Sequence, residues 1–418
     1  MKFGIFTLDD FDLSGRTVLC RVDINQPIDK TTGQLKDITR IKACIPTLKE
    51  LSDKGSKVVV LAHQGGDLEY KNYYSTEPHA KVIADLLGKP VQFVDDVIGP
   101  TAREKIKALK EGEILLLDNV RFLAEEMTLF ETKLNLSAEE LSQSQTVKRL
   151  APLADLYVCD AFAAAHRSQP SLVGFEQVLP SAMGRLFEEE FSVISSVMEN
   201  PARPCLFILG GAKIQDAFMM MNTVLSNGSA DKVLTGGLVA HIMLLAKGIN
   251  IGKQSTEFIY KNNLSEYIDD AKQLLAQFAD KIILPLDLAF VREERQEAGV
   301  NDLPEDELLI DIGHQTVEMY KQVILESATV FINGPMGVFE KQLSEYGTKS
   351  IWETVATSTA YSVIGGGDSL MAANKFNVEK EISYICTGGG ALVRFLSGEE
   401  LPVVRALRDA AKRAQQRA

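Results

Sequence analysis

The hydrophobic and polar positions of this chain follow two alternating patterns. Short apolar runs, rich in valine and leucine, recur through the first half and are separated by longer segments with helical spacing. The runs are TVLCRVD, KVVVLAH, VQFV, EILLLDN and DLYVCDA. Continuous apolar runs of this length are typical of parallel strands that are buried on both faces. Because the second half repeats the scheme, we predict an α/β fold with two parallel sheets, each covered by helices on both faces.

Three helices are also predicted by periodicity. The first begins near Asp37 and ends before Gly55. Its apolar face consists of Ile41, Ile45, Leu48 and Leu51. The second lies within 179–204 and ends at the proline-bearing ENPARP, which predicts a stiff helical connector that favours hinge motion. The third is the basic, alanine-rich RALRDAAKRAQQRA. At 418 residues the chain is too long for one ordinary core, so we expect two domains of about 200 residues each.

Composition and charge narrow the class of protein. The chain is 45% hydrophobic and 24% charged, as is typical of a globular enzyme, and its formal charge of −13 argues against general nucleic-acid binding. No apolar stretch approaches the roughly 20 residues that span a bilayer, and the start MKFGIFTLDDFDL is acidic, unlike a signal peptide. We therefore expect a cytoplasmic protein. The five cysteines are widely spread, mostly in apolar runs, and are predicted to be buried free thiols.

Glycine clusters end several apolar runs of the second half: LFILGGAK (206–213), KVLTGGL (232–238), SVIGGGDS (362–369) and YICTGGGA (384–391). Glycine allows positive φ and lets a phosphate approach bare N–H groups, so a strand followed by such a turn and a helix makes an anion site. One cluster carries a lysine and one an acid. The set predicts a nucleotide triphosphate with its metal, although the common GxxxxGK[ST] loop is absent.

Individual members of these clusters have alternative interpretations. Lys213 follows two glycines and opens a helix, which favours a phosphate ligand. Asp368 stands at a predicted helix start and is either an N-cap or a magnesium contact beside phosphates. Glu340 either accepts ribose hydroxyls or begins a solvated helix. The pair Gly236 and Gly237 alone is more often structural than functional.

Polar side chains follow four strands of the first half, and one more lies on the first helix. They are Arg21, Asp23, Asn25, Arg40, His63, Asn119, Arg121, Asp160, His166 and Arg167. Strand ends converge in a doubly wound sheet, so these residues are predicted to share a pocket. Several arginines with one or two histidines suit a small phosphorylated carboxylic acid, since guanidinium groups bind both anions bidentately. Any one of the arginines, taken alone, is more often a surface salt bridge.

A series of motifs carries a family resemblance. It comprises RVDINQP (21–27), DITRI with IPTL (37–48), DNVRF (118–122), DAFAAAHRSQPS (160–171), LGGAK (209–213), LPLD (284–287), NGPMGVFE (333–340), GGGDS (365–369) and TGGGA (387–391). In this order, over nearly the whole chain, the series closely resembles the phosphoglycerate kinase family. The segments LTGGLVAHIMLLAKG and TGGGALVRFLSGEELPVVRAL are most similar to its archaeal branch.

The resemblance implies two Rossmann-like lobes joined by a helical hinge. An N-lobe of residues 1–183, completed by 404–418, would bind 3-phosphoglycerate or 1,3-bisphosphoglycerate. A C-lobe of residues 184–403, including a connecting helix at 184–200, would bind ADP or ATP with Mg²⁺. The reaction would be reversible, magnesium-dependent phosphoryl transfer between 1,3-bisphosphoglycerate and ADP. A monomer or homodimer is expected, with no nucleic-acid or membrane partner.

The resemblance also assigns roles to residues of this sequence. The acid substrate would be held by Asp23, Asn25, Arg40, His63, Arg121 and Arg167. The nucleotide would be held by Gly211, Lys213, Asn333, Glu340, Gly366, Gly367, Asp368 and Ser369, with Asp368 also contacting the metal. The transferred phosphoryl group would be stabilised by Arg40, Lys213, Gly367 and Gly390.

Three positions depart from the family pattern. Ala217 replaces a common second lysine, Gly66 in HQGGD (63–67) replaces an arginine, and Ala163 replaces a common glycine. Three hypotheses follow: an active phosphoglycerate kinase, a kinase of another small acid acting through an acyl phosphate, and a non-catalytic nucleotide-binding relative. A coupled assay with 3-phosphoglycerate, ATP and magnesium separates them. The surviving charged motif residues favour the first.

Overall fold

The structure is a computed structural model that describes residues 1–29, 31–66 and 73–417. The chain divides into two compact units: the first contains Met1–Ser192 and Glu400–Ala418, and the second contains Val193–Glu399. Asp67, which ends the HQGGD motif, and Ala418, which ends the predicted basic helix, lie outside the described residues.

The described part of the first unit contains a six-stranded sheet in the order β3-β4-β2-β1-β5-β6, with every pair parallel. Its strands are β1 (Thr17–Val22), β2 (Lys57–Leu61), β3 (Val91–Val94), β4 (Ile114–Leu117), β5 (Leu156–Asp160) and β6 (Ser181–Met183). The first five correspond to the five predicted apolar runs. The sixth was not predicted, because a three-residue strand is too short to show a period.

The helices of the first unit pack around this sheet. They are α1 (Thr39–Asp53), α2 (Glu77–Leu87), α3 (Pro100–Ala108), α4 (Thr128–Leu134), α5 (Ala138–Leu141), α6 (Gln145–Leu150) and, near the end of the chain, α16 (Pro402–Arg417). The side chain of Asp37 accepts a hydrogen bond of 3.1 Å from the N–H of Thr39, which fixes the start of α1. Gly55 follows the helix with φ of +83°. The predicted first helix is confirmed.

The second unit contains another parallel six-stranded sheet in its described part, in the order β15-β14-β13-β7-β8-β9. Its strands are β7 (Cys205–Leu209), β8 (Lys232–Thr235), β9 (Ile282–Ile283), β13 (Thr329–Asn333), β14 (Tyr361–Gly365) and β15 (Tyr384–Ile385). A small antiparallel sheet, which was not predicted, contains β10 (Asp287–Val291), β11 (Arg295–Gly299) and β12 (Asp311–Ile312). The α/β class with two parallel sheets is confirmed.

The helices of the second unit begin directly after several of its strands. They are α8 (Ile214–Ser226), α9 (Gly237–Ala246), α10 (Lys253–Lys261), α11 (Ile268–Phe278), α12 (His314–Leu325), α13 (Tyr346–Thr357), α14 (Gly367–Lys375) and α15 (Gly389–Leu396). The predicted connecting helix is α7 (Arg185–Glu199), which starts in the first unit and ends in the second. No helix in the described ranges combines the length and apolar character of a membrane span.

The central strands of both sheets are buried on both faces. In β2 the side chains of Val58, Val59 and Val60 are completely buried, and in β7 the same is true of Phe207 and Ile208. This explains why these strands are continuous apolar runs rather than alternating ones. The polar residues that follow such strands therefore collect at the carboxyl edge of each sheet.

Candidate active site

The first unit brings the predicted acid-binding residues to the carboxyl edge of its sheet. Nη1 of Arg40, on the first turn of α1, lies 2.6 Å from a carboxylate oxygen of Asp23, which follows β1. The same carboxylate accepts a 3.1 Å hydrogen bond from the N–H of Asn25, and Asn25 Oδ1 accepts one of 3.0 Å from the N–H of Gly65. These contacts join the loop after β1 to the loop after β2, so Asp23, Asn25 and Arg40 share one site as predicted by sequence.

The positive charges of four arginines in this unit act on His63. Its side chain is buried, and Nδ1 is 3.1 Å from Nη2 of Arg21. Burial, together with the guanidinium groups of Arg21, Arg121, Arg40 and Arg167, holds the pKa of His63 well below its usual range. The imidazole is therefore neutral at physiological pH, and the four arginines supply the positive charge.

Arg121 and Arg167 are held in different ways. Arg121 is buried, and its guanidinium donates to the backbone carbonyl of Gly65, so it helps to shape the loop after β2. The side chain of Arg167 is 22% exposed and lies 3.9 Å from Glu131, too far for a strong ion pair. Both guanidinium groups act electrostatically on His63, which places their charges around the same imidazole.

A cavity of about 470 Å³ opens beside these residues. It is lined by Asn25, Gln26, Pro27, Ile28, Asp37, Arg40, Gln64, Gly65, Gly66 and Tyr74. The sequence analysis missed Gln26, Gln64 and Tyr74 as site residues. The backbone N–H of Gln26 donates to Gln64 Oε1 at 3.0 Å, and Gln64 Nε2 returns a bond of 2.8 Å to the carbonyl of Gln26. The position of Gln64, next to His63, was the available signal.

Two members of the predicted strand-end set have structural contacts instead. The side chain of Asp160 is buried and accepts a 3.2 Å hydrogen bond from the N–H of Phe187 in the first turn of α7, and burial raises the pKa of Asp160 to about 7. Asn119 Nδ2 donates to the carbonyls of Gln64 (2.6 Å) and Tyr74 (2.9 Å). Asp160 thus anchors a helix, and Asn119 fastens two loops.

In the second unit, the LGGAK, LTGGL and NGPMG turns pack against one another through bare backbone. The N–H of Gly211 donates to the carbonyl of Pro335 at 2.8 Å, and the N–H of Gly237 donates to that of Met336 at 2.7 Å. A Cβ on Gly334 would lie 2.1 Å from the carbonyl oxygen of Gly210, which excludes any larger residue. The LTGGL turn therefore packs against the other loops, as its structural interpretation proposed.

Lys213 directly precedes α8, and its side chain is exposed. The ammonium group of Lys213 forms no hydrogen bond or ion pair with any residue in the described ranges. The second predicted phosphate turn has Gly366 at φ of +86° and Gly367 as the first residue of α14. A Cβ on Gly367 would meet no described atom within 4 Å, so the backbone there is open to a ligand. A free ammonium group and an open helix start are both features of a phosphate site.

Asp368 is not the N-cap that one interpretation proposed. Gly366 occupies the N-cap position of α14, and Asp368 is half-buried in the first turn. A carboxylate in the first turn is favoured by the helix dipole and remains available to a cation. At the neighbouring helix start Gly389 has φ of +48°, and Gly390 is exposed.

Asn333 and Ser369 link two of these loops. Asn333 ends β13, and its Oδ1 would be 2.6 Å from a Cβ built on Gly366. Ser369 is completely buried, and its Oγ accepts a 2.7 Å hydrogen bond from the N–H of Gly334. The Ser369 hydrogen bond therefore joins the GGGDS and NGPMG turns, and the side chain of Asn333 lies close to Gly366.

A second cavity, of about 330 Å³, adjoins the glycine turns. Its lining includes Gly211, Ala212, Gly237, Leu238, His241, Phe258, residues 308–310, Pro335, residues 337–340 and Asp368. Most of these side chains are apolar, with Glu340 and Asp368 adding two acids. An apolar slot next to the predicted phosphate turns suits a nucleobase with its ribose. Phe258, Leu309 and His241 were missed by sequence analysis; burial lowers the pKa of His241 to about 4, so its ring is neutral.

Ala217 is buried in α8, and its N–H donates to the carbonyl of Lys213. No group of three histidine, cysteine or acidic side chains that could hold a metal by itself occurs within the described ranges.

The five cysteines are all buried, and none of them takes part in a disulfide bond, as predicted.

Comparisons with known proteins agree on one family. A family model described as phosphoglycerate kinase matches residues 8–399. The chain is 43% identical over 413 residues to the phosphoglycerate kinase of Methanothermus fervidus, with 99% of each chain covered. It is 41% identical over 419 residues to that of Thermococcus kodakarensis, again with 99% of each covered. The crystal structure of phosphoglycerate kinase from Pyrococcus horikoshii matches with a TM-score of 0.87 and 40% identity, covering 98% of this chain and 100% of that one.

Proposed function

This chain belongs to the phosphoglycerate kinase family, and from that premise we propose that its first unit binds the acid substrate and its second unit the nucleotide. The family reaction is reversible phosphoryl transfer between 1,3-bisphosphoglycerate and ADP, a step of glycolysis, and the enzyme is a phosphotransferase with a carboxyl group as acceptor. The resemblance to the archaeal branch, inferred from motifs, is confirmed by relatives 41–44% identical over nearly the full chain.

The observation that carries the proposal for the first unit is the joining of Asp23, Asn25 and Arg40 beside a cavity of about 470 Å³. Arg40 supplies a fork of donors for phosphate or carboxylate, and Arg121 and Arg167 add positive charge. His63, being neutral, adds hydrogen bonding without further charge. Together with Asp23 and Asn25, which match a hydroxyl group, these residues suit a small phosphorylated hydroxy acid.

The cavity of about 330 Å³ supports the proposal for the second unit. Its apolar walls would hold the base, and Glu340 would accept hydrogen bonds from the ribose hydroxyls. Lys213 and the N–H groups near Gly211, Gly366, Gly367 and Gly390 would hold the phosphates. Asn333 and Ser369 would keep the GGGDS turn in place against the NGPMG turn.

Asp368 fits a magnesium ion that is brought with the nucleotide. Magnesium usually keeps several waters and takes one or two carboxylates together with substrate phosphates, so a single carboxylate beside a phosphate turn is a suitable donor. Such an ion, held by Asp368 and the phosphates, would neutralise phosphate charge.

Catalysis in this scheme consists of positioning and charge stabilisation. The carboxylate oxygen of 3-phosphoglycerate is the nucleophile and is already ionised at neutral pH, so no general base is needed. Arg40 and Lys213 would neutralise the negative charge on the equatorial oxygens of the transferred group, with help from the N–H groups of Gly367 and Gly390.

We also propose that α7 acts as the hinge. We further propose that the enzyme works in the cytoplasm, since its reaction uses the cellular ADP and ATP pools.

A coupled assay tests the substrate and metal assignments. Purified protein with 3-phosphoglycerate, ATP and magnesium should consume ATP only while all three are present, and chelation with EDTA should abolish turnover until excess magnesium is restored. Other small carboxylic acids serve as controls. Unchanged turnover in EDTA would refute the metal role, and a higher kcat/KM with another acid would refute the substrate assignment.

Gly66 offers a second test of the acid site. A Cβ there would meet no described atom within 4 Å, and the residue lines the acid-side cavity, so a side chain can be added at this position without a clash of its Cβ. Gly66→Arg is expected to lower the KM for 3-phosphoglycerate about fivefold, because it adds a charge-assisted hydrogen bond to an anion. Steady-state kinetics with varied acid measures this. Gly66→Gln, which adds length without charge, is the control, and an equal fall in KM for both variants would contradict the charge explanation.

A further inference from the structure

A buried hydrogen-bonded chain ends at His63, and it begins at a residue with no assigned role. Glu126 is completely buried in the first unit, and both of its carboxylate oxygens accept hydrogen bonds from Ser171. Oε1 accepts from the backbone N–H and Oε2 from Oγ, each at 2.7 Å. The hydroxyl proton of Ser171 is thereby directed at Glu126, which leaves the lone pairs of Oγ free to accept.

The next link is Arg21, whose side chain is also completely buried. Its Nε donates to Ser171 Oγ at 3.1 Å, and its Nη2 lies 3.1 Å from Nδ1 of His63. The remaining nitrogen, Nη1, donates to the backbone carbonyl of Val22. Each of the three guanidinium nitrogens of Arg21 therefore has a partner. The orientation of the group depends on Ser171 and, through Ser171, on Glu126.

The contact between Arg21 and His63 determines where the imidazole proton lies. A guanidinium group has donors and no acceptor, so Nδ1 of His63 must accept. A neutral imidazole carries a single proton, which is then on Nε2. Because the low pKa of His63 keeps the ring neutral, this tautomer is the one present at physiological pH.

We propose that Glu126 is a positioning residue for His63: acting through Ser171 and Arg21, it keeps the proton on Nε2, where it is available to donate to an oxygen of the acid substrate. The final step rests on the proposed binding of the acid in the first unit, whereas the tautomer does not. Loss of the carboxylate at Glu126 frees the hydroxyl of Ser171, lets the guanidinium of Arg21 rotate and admits the other tautomer.

The test uses ¹⁵N-histidine-labelled full-length protein at pH 8, above the value of about 7 to which burial raises the pKa of Glu126. Long-range ¹H–¹⁵N spectra report the tautomer of each histidine, and the signal of His63 is assigned from its loss in His63→Gln. The wild type is expected to show His63 only as the Nε2–H form. In Glu126→Gln the Nδ1–H form should appear, and the KM for 3-phosphoglycerate should rise about fivefold, the typical effect of one hydrogen bond.

Glu125→Gln is the matched control, because its carboxylate bonds to Thr146 and Gln145 instead of Ser171. Ser171→Ala removes the middle link of the hydrogen-bonded chain, and it replaces Glu126→Gln as the test variant if Glu126→Gln does not fold. An unchanged His63 tautomer in whichever variant folds would overturn the proposal, whatever the effect on binding. A changed tautomer with unchanged affinity for 3-phosphoglycerate would support the proposal and refute the assigned role of His63 in acid binding.

Discussion

Lys213→Ala is expected to lower turnover about a thousandfold, because it removes a preorganised positive charge from the transferred phosphoryl group. The lysine directly precedes α8 in the second unit, and its ammonium group has no hydrogen-bond or ion-pair partner among the described residues. Its ammonium is therefore committed to no structural contact. The affinity for 3-phosphoglycerate should stay nearly unchanged, since that substrate is assigned to the first unit.

The measurement combines kcat from the coupled assay with calorimetric titration of 3-phosphoglycerate. Lys232→Ala is the matched control, because Lys232 is also exposed in the second unit but begins β8 at the opposite edge of the sheet. That variant should retain wild-type kcat. A wild-type rate in Lys213→Ala would refute the role of the lysine, and an equal loss in both variants would point to a general effect of surface charge.

Arg40→Ala is expected to lower kcat more than a hundredfold, roughly the effect of losing one charged group from a phosphoryl-transfer site, and to raise the KM for 3-phosphoglycerate. The change also leaves the buried carboxylate of Asp23 without the cation that lies 2.6 Å away in the intact protein. An uncompensated buried charge is unfavourable, so local order around the acid-side cavity should fall as well.

Two further variants separate these effects. Arg40→Lys keeps the charge but loses the bidentate fork, so its kcat should fall between those of the wild type and Arg40→Ala. Arg16→Ala removes an arginine just before β1, at the opposite edge of the same sheet, and should have little effect on kcat. If Arg40→Lys were as active as the wild type, only the charge of Arg40 would matter; full activity of Arg40→Ala would refute the assignment.

Much of the fold was predictable because a strand that is buried on both faces appears in the sequence as a continuous apolar run. β1, β2, β4 and β5 appear as continuous apolar runs, since both faces of a parallel sheet are covered, whereas the edge strand β3 is mostly half-buried. The antiparallel strands β10 to β12 were missed. Two-residue and half-exposed strands such as β12 and β11 carry no strong period, and their pairing depends on partners that are distant in sequence.

The candidate site was predictable in part for a related reason. Residues in the turn that follows a strand, such as Asp23 directly after β1 and Lys213 four residues after the end of β7, must lie at the carboxyl edge of the sheet, so their position follows from the strand itself. His241 and Phe258 come from the interiors of α9 and α10, where the sequence alone does not show which side of a helix lines a cavity. Asp160 shows the opposite case, because it lies at the carboxyl end of β5 as expected but accepts a hydrogen bond from α7.

The sequence by itself determined the α/β class, the longer buried strands of the parallel sheets, the glycine turns and the family, because strand burial, glycine conformation and motif order are local properties of the chain. Only the tertiary structure decided which polar groups bond to one another. It showed that the turn at Gly237 packs against backbone, that Asp160 anchors a helix, and that Glu126 is linked to His63 through Ser171 and Arg21. A hydrogen bond requires donor and acceptor atoms to lie about 3 Å apart, and when the two residues are far apart in sequence only the packing of the folded chain sets that distance.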